Sequence, residues 1–178
     1  MSRSPRPCTP SVAAWLKANG SLTARLRRHG SVQVLVLRQG TQRLWLPERQ
    51  ALHGIAGHVR EVLLLVNGVP AVWARSSTSL NARRGGWKAM TELGNRPLAD
   101  ILFQTRNLVR SPLIPFHIAP QGQVERTLRK RWQHHPALKG KDAPLPLPRW
   151  GRSSVFVRKG QALRVFEAFA PWVLTLGI

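Results

Sequence analysis

The chain has 178 residues, 28 Lys and Arg against 7 Asp and Glu, and a formal net charge of +21. At 43% hydrophobic with seven Trp it is globular rather than disordered, and its length suits one domain with a real core. The longest apolar run, Val62 to Val66, falls far short of the roughly 20 residues of a membrane-spanning helix.

The single Cys, Cys8, excludes an intramolecular disulfide framework and fits a reducing cytoplasm. No Cys or His spacing reads as a metal site. His134-His135 is the only close pair, and adjacent side chains on a helix or strand point apart. The charge calls for an anionic partner: nucleic acid, an anionic membrane surface or an acidic small molecule. It is scattered over Arg25-Leu26-Arg27-Arg28, Arg83-Arg84, Arg129-Lys130-Arg131 and Arg158-Lys159 without a nucleic-acid-binding motif, so no specific nucleic acid is expected.

Residues 1–10 are basic and Pro-rich and lack an apolar signal core, so they read as a flexible tail before a domain spanning 11–178. Ser11 to Ala18 predicts a short helix stopped by Asn19-Gly20, and Ser21 caps a second helix, Leu22 to His29. Ser31 to Arg38 alternates as a strand. Gln39-Gly40 is expected to turn it into a hairpin with Gln42 to Leu46.

A stronger hairpin follows: Val59 to Val66, the turn dipeptide Asn67-Gly68, and Ala71 to Arg75. A two-residue turn sets Arg60 directly beside Arg75. A four-residue turn including Pro70 makes the pair diagonal but keeps both on one face, with Val62, Leu64 and Trp73. Two adjacent arginines repel unless solvent screens them or an anion sits between them.

Asn95 to Phe103 opens another helix with Pro97 in its first turn, which leaves the Leu98 amide as a free donor; Leu22, just after its cap, has the same character. Residues 119–148 read as a basic, Pro-rich surface excursion with one short helix from Val124 to Trp132. The chain closes with Ser153 to Val157, a turn at 158–161, and Ala162 to Phe169. Hairpins in sequence with flanking helices define an α+β single domain, an antiparallel β-sheet with helices packed around it.

Glu167 is the odd residue of the last strand. Alternation puts it on a face with Leu163, Val165 and Phe169, where a carboxylate costs several kcal/mol (roughly) unless a cation, donors or a raised pKa compensates. It is therefore either structurally paired or poised to meet a ligand. Arg60, Arg75, the amides of Leu22 and Leu98, and Glu167 together suit a small, mostly apolar dianion carrying one hydroxyl or ether.

These segments, in order, resemble the chorismate lyase family. The matching residues are Ser21-Leu22-Thr23, Val59-Arg60-Glu61-Val62-Leu63-Leu64, Asn67-Gly68-Val69-Pro70, Gly94-Asn95-Arg96-Pro97-Leu98 with Leu102-Phe103, Arg110-Ser111, Trp150-Gly151-Arg152-Ser153-Ser154, and Leu163 to Phe169 with Pro171. The departures are Leu22 where the family often has Met, Ala170 where Leu is common, and the long basic excursion.

The resemblance implies a monomeric, cytoplasmic enzyme of ubiquinone synthesis that cleaves chorismate to 4-hydroxybenzoate and pyruvate without metal or organic cofactor. It implies that Arg60 binds a substrate carboxylate, that Leu98 and Leu22 add main-chain donors, and that Glu167, its pKa raised by burial, contacts the ring oxygen and assists proton transfer. Arg75 would add positive potential. Two other readings stay open. One is a non-enzymatic small-molecule sensor of the same fold, the other a basic nucleic-acid-binding protein. The charge would also serve transient contact with an anionic membrane surface.

Overall fold

Two tight turns set the register of most of the sheet. In the computed structural model, which describes residues 9–103, 107–133 and 145–178, strand β2 (Ala56–Val66) reverses through Asn67-Gly68 into β3 (Val69–Ser79). Asn67 and Gly68 both take positive φ (49° and 75°), the left-handed pair a two-residue hairpin turn requires. Lys159 and Gly160 (50° and 70°) do the same between β6 (Trp150–Arg158) and β7 (Gln161–Phe169).

Seven antiparallel strands form one sheet in the order β1-β2-β3-β7-β6-β4. Short β4 (Val109–Arg110) and β5 (Ile114–His117) lie successively along the outer edge of β6. The expected α+β architecture is thus observed.

Two registers differ from expectation. Val32 to Arg43 is a single strand, β1, not a hairpin: Gln39 and Gly40 stay in the ladder opposite Arg60 and Val59, and an irregularity between Val36 and Arg38 bends the strand instead. Between β2 and β3 the turn is the two-residue one, but a bulge follows it. Leu65 opposes Pro70 while Leu64 opposes Val72, leaving Ala71 as the extra residue. The carbonyls of Pro70 and Ala71 are taken by Trp172 Nε1 (2.9 Å) and the Ala170 amide (2.8 Å). Beyond the bulge every β3 side chain has changed face. Arg60 therefore pairs with Ser76, and Arg75 pairs with Glu61.

Helices α1 (Pro10–Lys17) and α2 (Leu22–Arg27) lie close to where the sequence places them. Thr9 caps the first helix, which opens at Pro10; residues 1–8 lie outside the described residues. Three helices were not anticipated: α3 (Leu46–Leu52), α4 (Leu80–Arg84) and α5 (Lys88–Thr91). The helix expected from Asn95 to Phe103 is shorter, α6 (Ala99–Leu102).

The excursion contains α7 (Gln123–Leu128), which runs into a π-helical turn, Arg129–Gln133. Leu128 and Trp132 bury completely in the core, so this stretch is packed rather than solvated. His134 and His135 lie outside the described residues.

The two faces of the sheet differ. One carries Trp73 and Phe166 under Trp45 and Phe116, with ring centroids 4.6–6.1 Å apart, pairs that each add about 0.5–1.5 kcal/mol beyond area burial. Gly151 leaves room for the Phe116 ring. The other face, roofed by α2, α6 and the segment between α5 and α6, holds a cavity.

Candidate active site

Alternation puts Arg60, Val62 and Leu64 of β2, Ala74 and Ser76 of β3, Val165 and Glu167 of β7, and Arg152 and Phe156 of β6 on the cavity face. Val34 and Arg110 come from β1 and β4, and Leu22, Leu98 and Leu102 from the roof. The cavity is partly continuous with solvent, and its empty space is about 610 Å³ when that open solvent is counted.

Arg60 is 2% exposed, and among the described residues it meets no carboxylate. Its Nη2 donates to the carbonyls of Gly94 (2.9 Å) and Arg96 (3.0 Å), while buried Nε has no protein partner. Desolvation pulls its pKa down to about 10. A guanidinium held by carbonyls and lacking a counter-ion is a built receptor for an anion.

Glu167 meets the cavity in an ion pair. Arg152, its Cα partner across β6 and β7, donates from Nε to Oε2 at 2.5 Å. Arg152 is 1% exposed, and its Nη1 donates to the carbonyls of Trp15 (3.0 Å) and Ala18 (2.9 Å) at the end of α1. Glu167 thus has a cation partner and lines the cavity at the same time, so both readings left open for it remain compatible with its position.

Arg110 stands over Phe156 (4.9 Å) and donates to Ser154 Oγ at 3.3 Å; burial is the main cause lowering its pKa. The charged residues lining the cavity are thus Arg60, Arg110 and Arg152 against Glu167, a net +2.

The structure brings four of the five sequence-predicted residues, Leu22, Arg60, Leu98 and Glu167, to one cavity, two from the roof and two from the sheet. Leu22 opens α2 and Leu98 precedes α6, so both amides lie at helix starts. Arg75 does not join them. The Ala71 bulge turns it to the other face, where Glu48 (2.7 Å) and Glu61 (2.6 Å) bind its guanidinium and Arg131 closes the network on Glu61 (3.0 Å). Its charge is neutralised there.

Sequence reasoning passed over Arg152 and Arg110. Arg152 was findable: the two-residue turn at Lys159-Gly160 sets 152 opposite 167. For Arg110, on a two-residue edge strand, no local signal exists.

The fold is one shared with domains of bacterial transcriptional regulators. The C-terminal domain of the histidine utilization repressor from Pseudomonas syringae superposes with a TM-score of 0.55 at 8% identity, over 83% of this chain and 97% of that one. The effector domain of PhnF from Mycobacterium smegmatis gives 0.52 at 16%, over 85% and 89%.

Sequence is more specific. The model of the family described as chorismate lyase matches residues 6–170. A protein of Bordetella avium named "Probable chorismate pyruvate-lyase" is 36% identical over 95% of this chain and 81% of its own length. One of the same name from Azoarcus sp. is 38% identical over 99% and 92%. The chain belongs to the chorismate lyase family.

Proposed function

We propose that the protein cleaves chorismate to 4-hydroxybenzoate and pyruvate, the step that supplies the aromatic ring of ubiquinone. The observation that carries this reading is the net +2 charge of a cavity with otherwise mostly apolar walls, since chorismate is a dianion built on a hydrophobic ring.

In the reaction the ether C–O bond to the ring breaks, and its electron pair leaves with the enolpyruvyl group. The hydrogen on the hydroxyl-bearing ring carbon departs as a proton, and the ring becomes aromatic. One proton is gained at the enolpyruvyl methylene to give pyruvate, so atoms balance without an oxidant or a second substrate. Aromatisation supplies much of the driving force, and no step calls for a metal or organic cofactor.

Arg60 would hold the ring carboxylate, with the Leu98 and Leu22 amides as further donors. Arg110 and Arg152 supply the second positive charge, for the side-chain carboxylate. Glu167, aimed by its contact with Arg152, would accept the hydrogen bond of the ring hydroxyl and steer the departing ring proton. A rigid, desolvated arrangement of this kind orients the substrate before reaction.

The test is pyruvate release from chorismate by the purified chain, with Arg60→Ala and Glu167→Gln alongside. Release by wild type alone supports the lyase and both anchors. Saturable binding of chorismate without release would replace the lyase by a sensor of the same fold. No helix among the described residues is long and apolar enough to cross a membrane.

A further inference from the structure

A second pit opens on the same sheet face, lined by Gln39 and Gly40 of β1, His58 of β2, Arg83 and Arg84 of α4, and Lys88 and Thr91 of α5. His58 sits two residues before Arg60 on the same strand face. Between the two hollows runs one short segment: Thr91 O accepts from Gln39 Nε2 (3.0 Å), and Gly94 and Arg96 carry the carbonyls that hold Arg60.

The floor of this pit is unusual. His58 is 4% exposed, and among the described residues neither imidazole nitrogen has a hydrogen-bond partner. A buried imidazole without partners is costly, and it marks a place where a ligand completes the bonding. Arg83, Arg84 and Lys88 share the pit lining with it, and among the described residues no carboxylate lines the pit; the nearby Glu92 is exposed and turned to Lys88 at 3.8 Å.

We propose that this pit binds a small tetrahedral oxyanion of the phosphate class, inorganic phosphate or a phosphate monoester. Such a group offers three strongly accepting oxygens and close to two negative charges, enough to engage Arg83, Arg84, Lys88 and the imidazole from different directions. A planar carboxylate would leave donors unmet. Burial first and the Arg83 charge second hold the His58 imidazolium pKa below its usual value, and a bound dianion opposes both effects. This site is independent of the lyase reading.

The test follows the His58 ring nitrogens by NMR, assigned with His58→Gln, as inorganic phosphate is titrated into the full chain at constant ionic strength. A parallel titration uses glycerol 3-phosphate. Saturable shifts are expected, with affinity reduced about tenfold or more in half-buried Arg83→Ala and in exposed Arg84→Ala, and retained in Arg60→Ala. Tighter binding of the ester assigns an ester ligand, and equal binding assigns the free anion. Shifts reproduced by sodium chloride, no saturation at tens of millimolar (roughly a weak-binding limit), or undiminished affinity in Arg83→Ala would overturn the proposal.

Discussion

Arg152 and Glu167 face each other across β6 and β7 at 2.5 Å, and the guanidinium is fixed from behind by the last carbonyls of α1. The carboxylate is thus aimed by a group that sequence reasoning did not single out. Removing either partner has different consequences. Glu167→Gln keeps a hydrogen-bonding group of the same size, so turnover should fall about 10²- to 10⁴-fold while stability changes by about 1 kcal/mol or less. Arg152→Ala leaves a carboxylate and two carbonyls without their donor, and should cost about 3 kcal/mol as well as activity. Urea unfolding of both variants beside their kinetics checks the split; equal destabilisation would make Glu167 a structural residue.

Arg60 poses the opposite case, a cation kept buried without an acid. Its pKa is lowered to about 10 in the fold, below its value in the unfolded chain, so charging it opposes folding at neutral pH. Between those values the unfolded chain holds more protons than the folded one, and this residue's unfavourable contribution is relieved as pH rises through about 10. Arg60→Met should therefore be as stable as wild type or more so at pH 7, and lose substrate binding by about 100-fold. The gap in thermal stability should narrow above pH 10. A variant clearly less stable at pH 7 would show that Arg60 supports the fold.

The legible part of this molecule is local. Asn67-Gly68 announces its turn, and Gly160 the second one, because Gly and Asn tolerate the positive φ needed there. Once the second turn is placed, simple counting sets Arg152 beside Glu167. The Ala71 bulge is different. It is held by Ala170 and Trp172, about a hundred positions away, and no feature near residue 71 reports them. That one extra residue reversed the expected face of Arg75 and moved Trp73 away from the cavity. Gln39-Gly40 misled in the other direction: glycine in a paired strand looks like a turn until its partner strand is known. The short helices α3 to α5 bury only one or two residues each, too few for a periodic pattern.

Arg75 gives a prediction that separates position from appearance. It sits 2% exposed between two carboxylates that are themselves buried, and stacks on Trp45 at 4.2 Å. Arg75→Ala should destabilise by about 3–5 kcal/mol, because buried Glu48 loses its cation and Glu61 keeps only Arg131. The folded fraction should keep KM within about twofold of wild type, below a 1 kcal/mol effect. Partial rescue of stability is expected in Arg75→Ala combined with Glu48→Gln, which removes the stranded charge. A large rise in KM at full folding would put Arg75 at the substrate.

Gly151 tests how closely the two sheet faces are coupled. It lies next to Arg152 in β6, and a Cβ built there meets the Phe116 ring at 2.6 Å and the Glu167 carbonyl oxygen at 2.7 Å. The ring belongs to the aromatic layer on the far face, while the carbonyl belongs to the backbone that carries the catalytic candidate. Neither can yield without moving β7 or displacing Phe116 from Phe166, whose centroids are 4.6 Å apart. Gly151→Ala should therefore cost about 1–3 kcal/mol from overpacking. Because the strain falls on the Glu167 backbone, turnover should drop more than substrate affinity. Phe116→Ala in the same chain removes the ring half of the clash but not the carbonyl half, so it should restore only part of the lost turnover. Full recovery would show that packing against Phe116 alone, and not the Glu167 backbone, makes glycine necessary at 151.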